Sequence, residues 1–352
     1  MHCSLDIHPD MMQWVTTSDE RLTMDDHHIT TTVPLEPLVH ELLSSHFRLV
    51  TADNDNYDTL LKLMPTTVGL VSRGLAPIDG NLMDAGSNLH VISRTGAGYE
   101  NVDIAAATAR GIPVVYAPLL AEAVAEGTFA LILALTKQLF YWHKMLITGQ
   151  WDRRLLKRTA DLYETTIGIV GLGRIGQQVA IRAKGFGMEI LGYDPYVQAH
   201  QVEDLGVTLV ELDDLLAGSD VVTLHALVTD ETTGMINRSN IGKIKRGAYL
   251  INFSRGALID GLEILYDALN TGHLAGVGLD VFPEEPPTNL DHPLFSHPKF
   301  IGSPHVLAST VGSEARCIRS WTKDVVAVLA GQRPKWCVNP EVFDAPNLRR
   351  PC

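Results

Sequence analysis

Three side chains of complementary chemistry follow apolar, strand-like runs in the second half of the chain. Arg255 comes after Ala248–Phe253, Glu285 after Gly276–Phe282, and His305 after Phe300–Ser303. A guanidinium binds a carboxylate through two parallel hydrogen bonds, an imidazole exchanges protons near neutral pH, and a carboxylate can orient the imidazole. Singly, each has a bland explanation: a surface ion pair, a solvated Glu-Glu-Pro turn, a Pro-His turn with a half-buried ring. Their combination is what points to acid–base chemistry.

The stretch Thr165 to Asp194 must position them. A β-branched run enters Gly171-Leu-Gly173-Arg-Ile-Gly176, an apolar-periodic helix leaves it, and a second apolar run ends on Asp194, 18 residues past Gly176. A bare GxGxxG is weak, but the strand before it, the helix after it and the acid beyond form the dinucleotide-binding fingerprint. Gly171 permits the tight turn, Gly173 lets backbone N–H groups approach a pyrophosphate, and Gly176 lets helix pack on strand. The pyrophosphate is expected at the helix N-terminus, where unpaired N–H groups and the helix dipole favour negative charge. Asp194 would accept hydrogen bonds from both adenosine ribose hydroxyls and repel a 2′-phosphate, favouring NAD over NADP.

The rest of the chain alternates strands and helices, which implies parallel sheets covered on both faces. Residues 1–25 are polar, without steady periodicity, and read as an extension. Strands are expected at Ile29–Val33, Phe47–Val50, Thr67–Ser72, Leu89–Ser93 and Gly111–Val115, with helices over Leu38–Ser45 and around Ile78–Ala85. They form a flavodoxin-like α/β domain of about 120 residues. Two of its loops, Arg73-Gly74 and Arg94-Thr-Gly96-Ala97-Gly98, follow strands and could offer backbone N–H groups to an anion; glycine merely making the turn explains them equally. One long helix, about Leu119 to Met145, is expected to cross to the second domain and to end at Gly149-Gln-Trp151. Six strand candidates between 165 and 305 then build the cofactor domain, and a last helix covers about Ser309–Leu329.

The chain has 352 residues, enough for two domains, with an ordinary globular composition and a formal net charge of −13. That charge argues against non-specific binding to nucleic acid or anionic membrane. Cys3, Cys317, Cys337 and Cys352 show no metal or redox spacing and read as free thiols of a reducing compartment. No signal peptide is visible, and the most apolar stretch is interrupted by Glu122, Glu126 and Lys137. A cytoplasmic protein is expected.

Together these stretches resemble the D-isomer-specific 2-hydroxyacid dehydrogenases. The matching segments are Arg94–Asp103, Gly111–Pro118, Val124–Glu126, Gly171–Gly176, Asp220–His225, Asn252–Asp260, Gly278–Pro286 and Ser303–Thr310, in the family's order over roughly residues 30–342. The resemblance implies two Rossmann-like domains: a doubly wound NAD-binding domain over 121–310, and a smaller flavodoxin-like substrate domain from 26–120 together with 311–352. It implies His305 as general acid toward the carbonyl oxygen while NADH delivers hydride to its carbon. Glu285 would hydrogen-bond the other ring nitrogen, and Arg255 would bind the 2-oxo acid's carboxylate. Gly171, Gly173, Arg174, Ile175, Gly176, Asp194, His225, Ala226, Thr232, Phe253, Ser254, Arg255, Asp280 and His305 fall at cofactor-contacting positions, Asp280 toward the carboxamide. Arg73, Gly74, Gly96, Ala97 and Gly98 would join Arg255 in holding the substrate, in a cleft that closes over the ligands. Homodimers joined through the cofactor domain are implied, with the helix from Leu119 and Trp142 or Trp151 as candidate contributors.

Four departures bear on the substrate: Tyr116 where relatives commonly have Asn, Gly127 for a frequent His, Glu100 for Asp, and Leu307-Ala308 for a small pair. The bulk of Tyr116 and Leu307 is expected to shift preference away from the smallest 2-oxo acids. The triad leaves a second reading open, an NAD(H)-sensing binding protein like the C-terminal binding protein corepressors. Formate or phosphite oxidation fits less well, because formate dehydrogenases of this fold pair the histidine with glutamine where Glu285 stands.

Overall fold

The structure is a computed structural model describing residues 27–44, 47–52, 56–74, 76–152 and 159–350. The extension expected over 1–25, Cys3 and Cys352 lie outside the described residues. The chain divides into two compact units, one formed by the residues up to Leu119 with those from Glu314 onward, the other by Leu120–Ser313.

The first unit runs β1 (His28–Thr31), α1 (Pro37–Leu43), β2 (Arg48–Thr51), α2 (Tyr57–Leu63), β3 (Thr67–Ser72), α3 (Gly80–Ala85), β4 (Val91–Arg94), α4 (Ile104–Ala109) and β5 (Val114–Val115). Its strands pair in parallel in the order β2-β1-β3-β4-β5, the flavodoxin-like arrangement. Central β3 is buried along its whole length, as a strand covered on both faces must be. Helices α2 and α4 were not separated by the sequence rhythm, yet each starts on a short polar cap. Asn56 accepts from the Thr59 N–H and Asp103 from the Ala106 N–H, satisfying N–H groups that the first helical turn leaves unpaired.

The second unit holds a seven-stranded parallel sheet. One long helix was expected to lead into it; two are found, α5 (Ala121–Thr136) and α6 (Leu139–Ile147), bent by 55°. The break lies at Gln138, which adopts φ 52°, a left-handed conformation that ends an α-helix. Just before it, Lys137 Nζ donates to the Ala160 carbonyl and to Asp161, both at 2.7 Å. Among the described residues no single helix is long and apolar enough to cross a membrane; α5 and α6 together have the length and composition, but eleven residues of α5 are buried in protein.

Next come β6 (Thr166–Val170), α7 (Arg174–Gly185), β7 (Glu189–Tyr193), β8 (Val207–Leu209), α8 (Leu212–Gly218), β9 (Val221–Leu224), β10 (Tyr249–Asn252), α9 (Glu263–Asn270), β11 (Gly276–Leu279) and β12 (Phe300–Gly302). Seven strands form where six were counted; β8 and β12 at the two edges are three residues each. The order β12-β11-β10-β9-β6-β7-β8 reverses direction between β6 and β9, the switch point where ligands bind in doubly wound sheets. Alternate residues supply two apolar clusters. Ile167, Ile169 and Ile251 pack with α5 and α7, whereas Val170, Val222 and Leu250 pack with α8 and α9. Helix α10 (Val311–Leu329) then carries the chain back to the first unit. There Asn339 locks the tail, accepting from the Val114 N–H (2.8 Å) and donating to the Ile112 carbonyl (3.0 Å).

Candidate active site

The glycine turn occupies the switch point. Gly171 has φ 93°, and a β-carbon there would lie 2.6 Å from Ala226 N in the loop after β9. A β-carbon on Gly176 would lie 2.0 Å from the Gly171 carbonyl oxygen, so strand end and helix start approach closer than any side chain allows. Around Gly173, the N-cap of α7, a β-carbon would meet nothing within 4 Å. One glycine pair closes the turn, and the third leaves open space before a twelve-residue helix whose N-terminus suits an anion.

Asp194 stands at the end of β7. Its Oδ2 accepts from the Leu172 N–H inside the glycine turn (2.9 Å) and its Oδ1 from the Tyr196 N–H (3.0 Å). Each oxygen retains a lone pair for a ligand hydroxyl. Ile175 packs on the α5–α7 cluster, and Arg174 is exposed beside it. His225 ends β9, its Nε2 2.9 Å from Thr223 Oγ1 and its buried Nδ1 without a hydrogen-bond partner. Burial pushes its pKa down to about 3, so the ring is neutral. The Ala226 carbonyl accepts from Ser254 Oγ (2.7 Å), tying the loops after β9 and β10 together. Thr232 closes its own turn by donating to the Leu227 carbonyl (2.6 Å), and Phe253 is buried against Gly127. A β-carbon at Gly127 would be 2.6 Å from the Phe253 ring, so helix α5 packs on that ring more closely than a side chain at 127 allows.

Glu285 and His305 meet directly. Glu285 Oε2 lies 2.8 Å from His305 Nδ1, while Oε1 accepts from the Phe282 N–H at 2.9 Å. His305 itself has φ 52°, a conformation uncommon outside glycine, asparagine and histidine. Asp280 holds it there: its Oδ1 accepts from Ser303 Oγ (2.6 Å), the Val306 N–H (3.1 Å) and the Leu307 N–H (3.5 Å), on both sides of the histidine. Burial raises the Asp280 carboxyl above its usual range, and those hydrogen bonds pull against that. Its Oδ2 is buried with no partner. That leftover acceptor suits an amide N–H₂ such as a nicotinamide carboxamide; with the open space at Gly173 and the acceptors of Asp194, the residues fit a dinucleotide.

Arg255 follows β10, its Nη1 donating to the Ser254 carbonyl (2.8 Å). A β-carbon on Gly256 would lie 1.9 Å from the Phe282 carbonyl carbon, so the Arg255 turn rests on the residue that anchors Glu285. Three residues of the matched segments had no role assigned from the sequence: Asn252, Gly256 and Ser303. Buried Asn252 shapes the Arg255 turn, donating to the Arg255 carbonyl (2.8 Å) and accepting from the Ser254 N–H (3.1 Å). The available signal was an amide at the end of an apolar strand, two residues before Ser254, a common turn-former.

In the first unit the two candidate substrate loops lie side by side. Arg94 Nε donates to the Gly98 carbonyl (2.9 Å), and its Nη1 to Ser72 Oγ (2.8 Å) and the Gly74 carbonyl (3.0 Å). Gly96 accepts from the Ala117 N–H (2.9 Å), and Ala97 lies in the turn between the glycines. The backbone of Arg73 donates to Thr32 Oγ1 (3.2 Å), as does Gly74 (3.4 Å). The Arg73 guanidinium bridges Glu36 and, at 2.9 Å, Glu314.

Comparison with known proteins agrees with this geometry. The sequence pattern of the "D-isomer specific 2-hydroxyacid dehydrogenase, NAD binding domain" matches residues 129–306. D-3-phosphoglycerate dehydrogenase of Mycobacterium tuberculosis is 37% identical over 299 residues, 85% of this chain and 56% of the relative. The chain thus spans little more than half the length of that enzyme. Glyoxylate reductase of Thermofilum pendens is 40% identical over 280 residues, 78% of this chain and 81% of the relative. The crystal structure of D-lactate dehydrogenase from Aquifex aeolicus, complexed with NAD and lactic acid, superposes with a TM-score of 0.78 at 30% identity, covering 87% of this chain and 96% of that one. Motif order, sheet order and sequence likeness converge on one conclusion: the chain belongs to the D-isomer-specific 2-hydroxyacid dehydrogenase family, and its second unit contains the family's NAD-binding domain.

Proposed function

We propose that the protein is an NAD-dependent dehydrogenase that reduces a 2-oxo acid to the D-2-hydroxy acid. The observation that carries this reading is the 2.8 Å contact between Glu285 and His305 Nδ1. An ionised carboxylate only accepts, so Nδ1 carries hydrogen and Nε2 is left to exchange a proton with the substrate. In reduction Nε2–H gives its proton to the carbonyl oxygen; in oxidation Nε2 takes the proton from the hydroxyl. Glu285 keeps the ring in that tautomer and stabilises its charged form. Arg255 binds the carboxylate through its two parallel N–H groups and polarises the neighbouring carbonyl. Backbone N–H groups of Gly96–Gly98 assist in holding the carboxylate, whereas those of Arg73 and Gly74 are already engaged by Thr32 Oγ1.

The dinucleotide would be held by the α7 N-terminus at Gly171–Gly176 and by Asp194, with Arg174, His225, Ala226, Thr232, Phe253, Ser254 and Asp280 lining its length. When bound, NADH supplies the two electrons and the hydrogen that reach the carbonyl carbon.

We further propose a homodimer through the second unit. Helix α6 has no buried residue, although Leu139, Phe140, Leu146 and Ile147 are apolar. A groove of about 520 Å³ beside Phe140 is lined by Phe282, Leu290, Phe295 and Phe300. The exposed apolar side chains of α6 are the surface such a partner would cover. The free thiols Cys317 and Cys337 support a cytoplasmic location.

The test is NADH oxidation across 2-oxo acids from glyoxylate and hydroxypyruvate to branched and aryl ones, with His305→Asn as control. Turnover on one class, reduced roughly 10²–10⁴-fold in the variant with NADH binding retained, supports the reading. NADH binding with no turnover on any acid would sink it and leave a nucleotide-sensing protein.

A further inference from the structure

Resting on the dehydrogenase reading above, we propose that Tyr99, Tyr116 and Trp336 form a wall for the substrate's side chain, selecting 2-oxo acids whose side chain is aromatic or branched and apolar. All three rings belong to the first unit and stand beside the loop assigned to the carboxylate. Tyr99 directly follows Gly98. Tyr116 is held at the same turn because its neighbour Ala117 donates to the Gly96 carbonyl at 2.9 Å. The Tyr99 and Tyr116 rings are 5.8 Å apart at 84°, and Tyr116 and Trp336 are 6.4 Å apart at 81°. Two successive edge-to-face contacts make a corner of rings rather than a closed stack.

The corner is held rigidly from behind. Asp324, 3% exposed, accepts from the Lys335 N–H (2.7 Å) and the Trp336 N–H (3.3 Å), a buried carboxylate spent on one turn. Cys337 pairs with Val115 as an isolated bridge, fixing the other side of Trp336 against β5. The rings are nevertheless not sealed in the core: Tyr99 is 39% exposed, and Tyr116 and Trp336 are half-buried. A carboxylate held at Gly96–Gly98 leaves the substrate's side chain only a few bonds from these rings. An apolar side chain would lose water there against fixed aromatic surface, whereas a hydroxymethyl or phosphate group gains little. The nearby Arg73 is not spare for a phosphate, since it already bridges two carboxylates.

The experiment compares kcat/KM for phenylpyruvate and 4-methyl-2-oxopentanoate with that for glyoxylate, hydroxypyruvate and 3-phosphohydroxypyruvate. The intact enzyme is expected to favour the first two by tenfold or more, about the discrimination an apolar pocket achieves. Trp336→Leu and Tyr116→Leu should each cut that preference roughly tenfold, mainly through KM. Turnover with an unchanged preference in both variants, or a preference for the phosphorylated acid, overturns the wall while leaving the dehydrogenase reading intact. Absence of turnover on every acid defeats the dehydrogenase reading instead. In that case calorimetric titration of the NAD⁺-saturated protein decides the wall alone: 3-phenyllactate binding at least tenfold tighter than glycolate supports it, and equal or absent binding overturns it.

Discussion

Two glycine turns follow parallel strands in this molecule, and they are held in opposite ways. The turn after β6 is closed by backbone against backbone: Gly176 faces the Gly171 carbonyl, and Gly171 faces Ala226, at distances no β-carbon tolerates. The turn after β4 is propped by the side chains that flank it, Arg94 reaching the Gly98 carbonyl, Ser72 and the Gly74 carbonyl, and Asn101 donating to the Ala76 carbonyl at 2.7 Å. A turn made by missing side chains tolerates almost no substitution but carries a visible motif. A turn made by props can vary at its tip but depends on the side chains at its two ends and on the loop after β3 that they reach.

The largest effect that would break this contrast is at Gly176. Gly176→Val should destabilise the second unit by at least about 3 kcal/mol, because backbone cannot yield as a side chain does. A thermal melt within a degree or two of the unaltered protein would refute backbone closure.

The next effect is pH dependence at the same corner. His225 is held near pKa 3 by burial against an ordinary value of 6.5, so the unfolded chain binds the extra proton between those limits. Stability from this group is complete above about pH 6.5 and falls as the pH drops toward 3, by roughly 1.4 kcal/mol per pH unit at most. Unfolding in urea at pH 7 and pH 5 should show a smaller loss for His225→Gln than for the unaltered protein; parallel losses would exclude the histidine as the cause.

Arg94→Ala tests the propped turn. It leaves partly buried carbonyls unpaired, costing about 1–3 kcal/mol, and should raise KM for the 2-oxo acid about tenfold without changing NADH affinity. A change in NADH affinity instead would contradict separate roles for the two turns. The smallest stability effect belongs to Gly173→Ala, expected within about 0.5 kcal/mol because its β-carbon meets open space. NADH affinity, measured by nucleotide fluorescence, should nonetheless fall about tenfold, since that space is where the phosphate backbone would approach.

The same contrast explains what could be read from the chain. The Gly171–Asp194 stretch was legible because its determinants are contiguous: strand, three glycines, helix, acid. The order of Arg255, Glu285 and His305 was legible through neighbouring motif residues. The break between α5 and α6 was not, since Lys137 and Gln138 are ordinary helix formers and the helix ends on contacts with Ala160 and Asp161. Asn252 opens a matched segment, but its role was not legible because it depends on a turn three residues long.

By itself the sequence determined two parallel α/β sheets, a dinucleotide turn and the chemical types at the catalytic corner, because periodicity and glycine spacing act over a few residues. Only the tertiary structure decided that Asp280 clasps the His305 turn, that Asn339 stitches the tail to β5, and that Tyr99, Tyr116 and Trp336 share one corner. Those contacts join residues tens to hundreds of positions apart, and their hydrogen bonds and ring packing come into being only when the sheets have assembled.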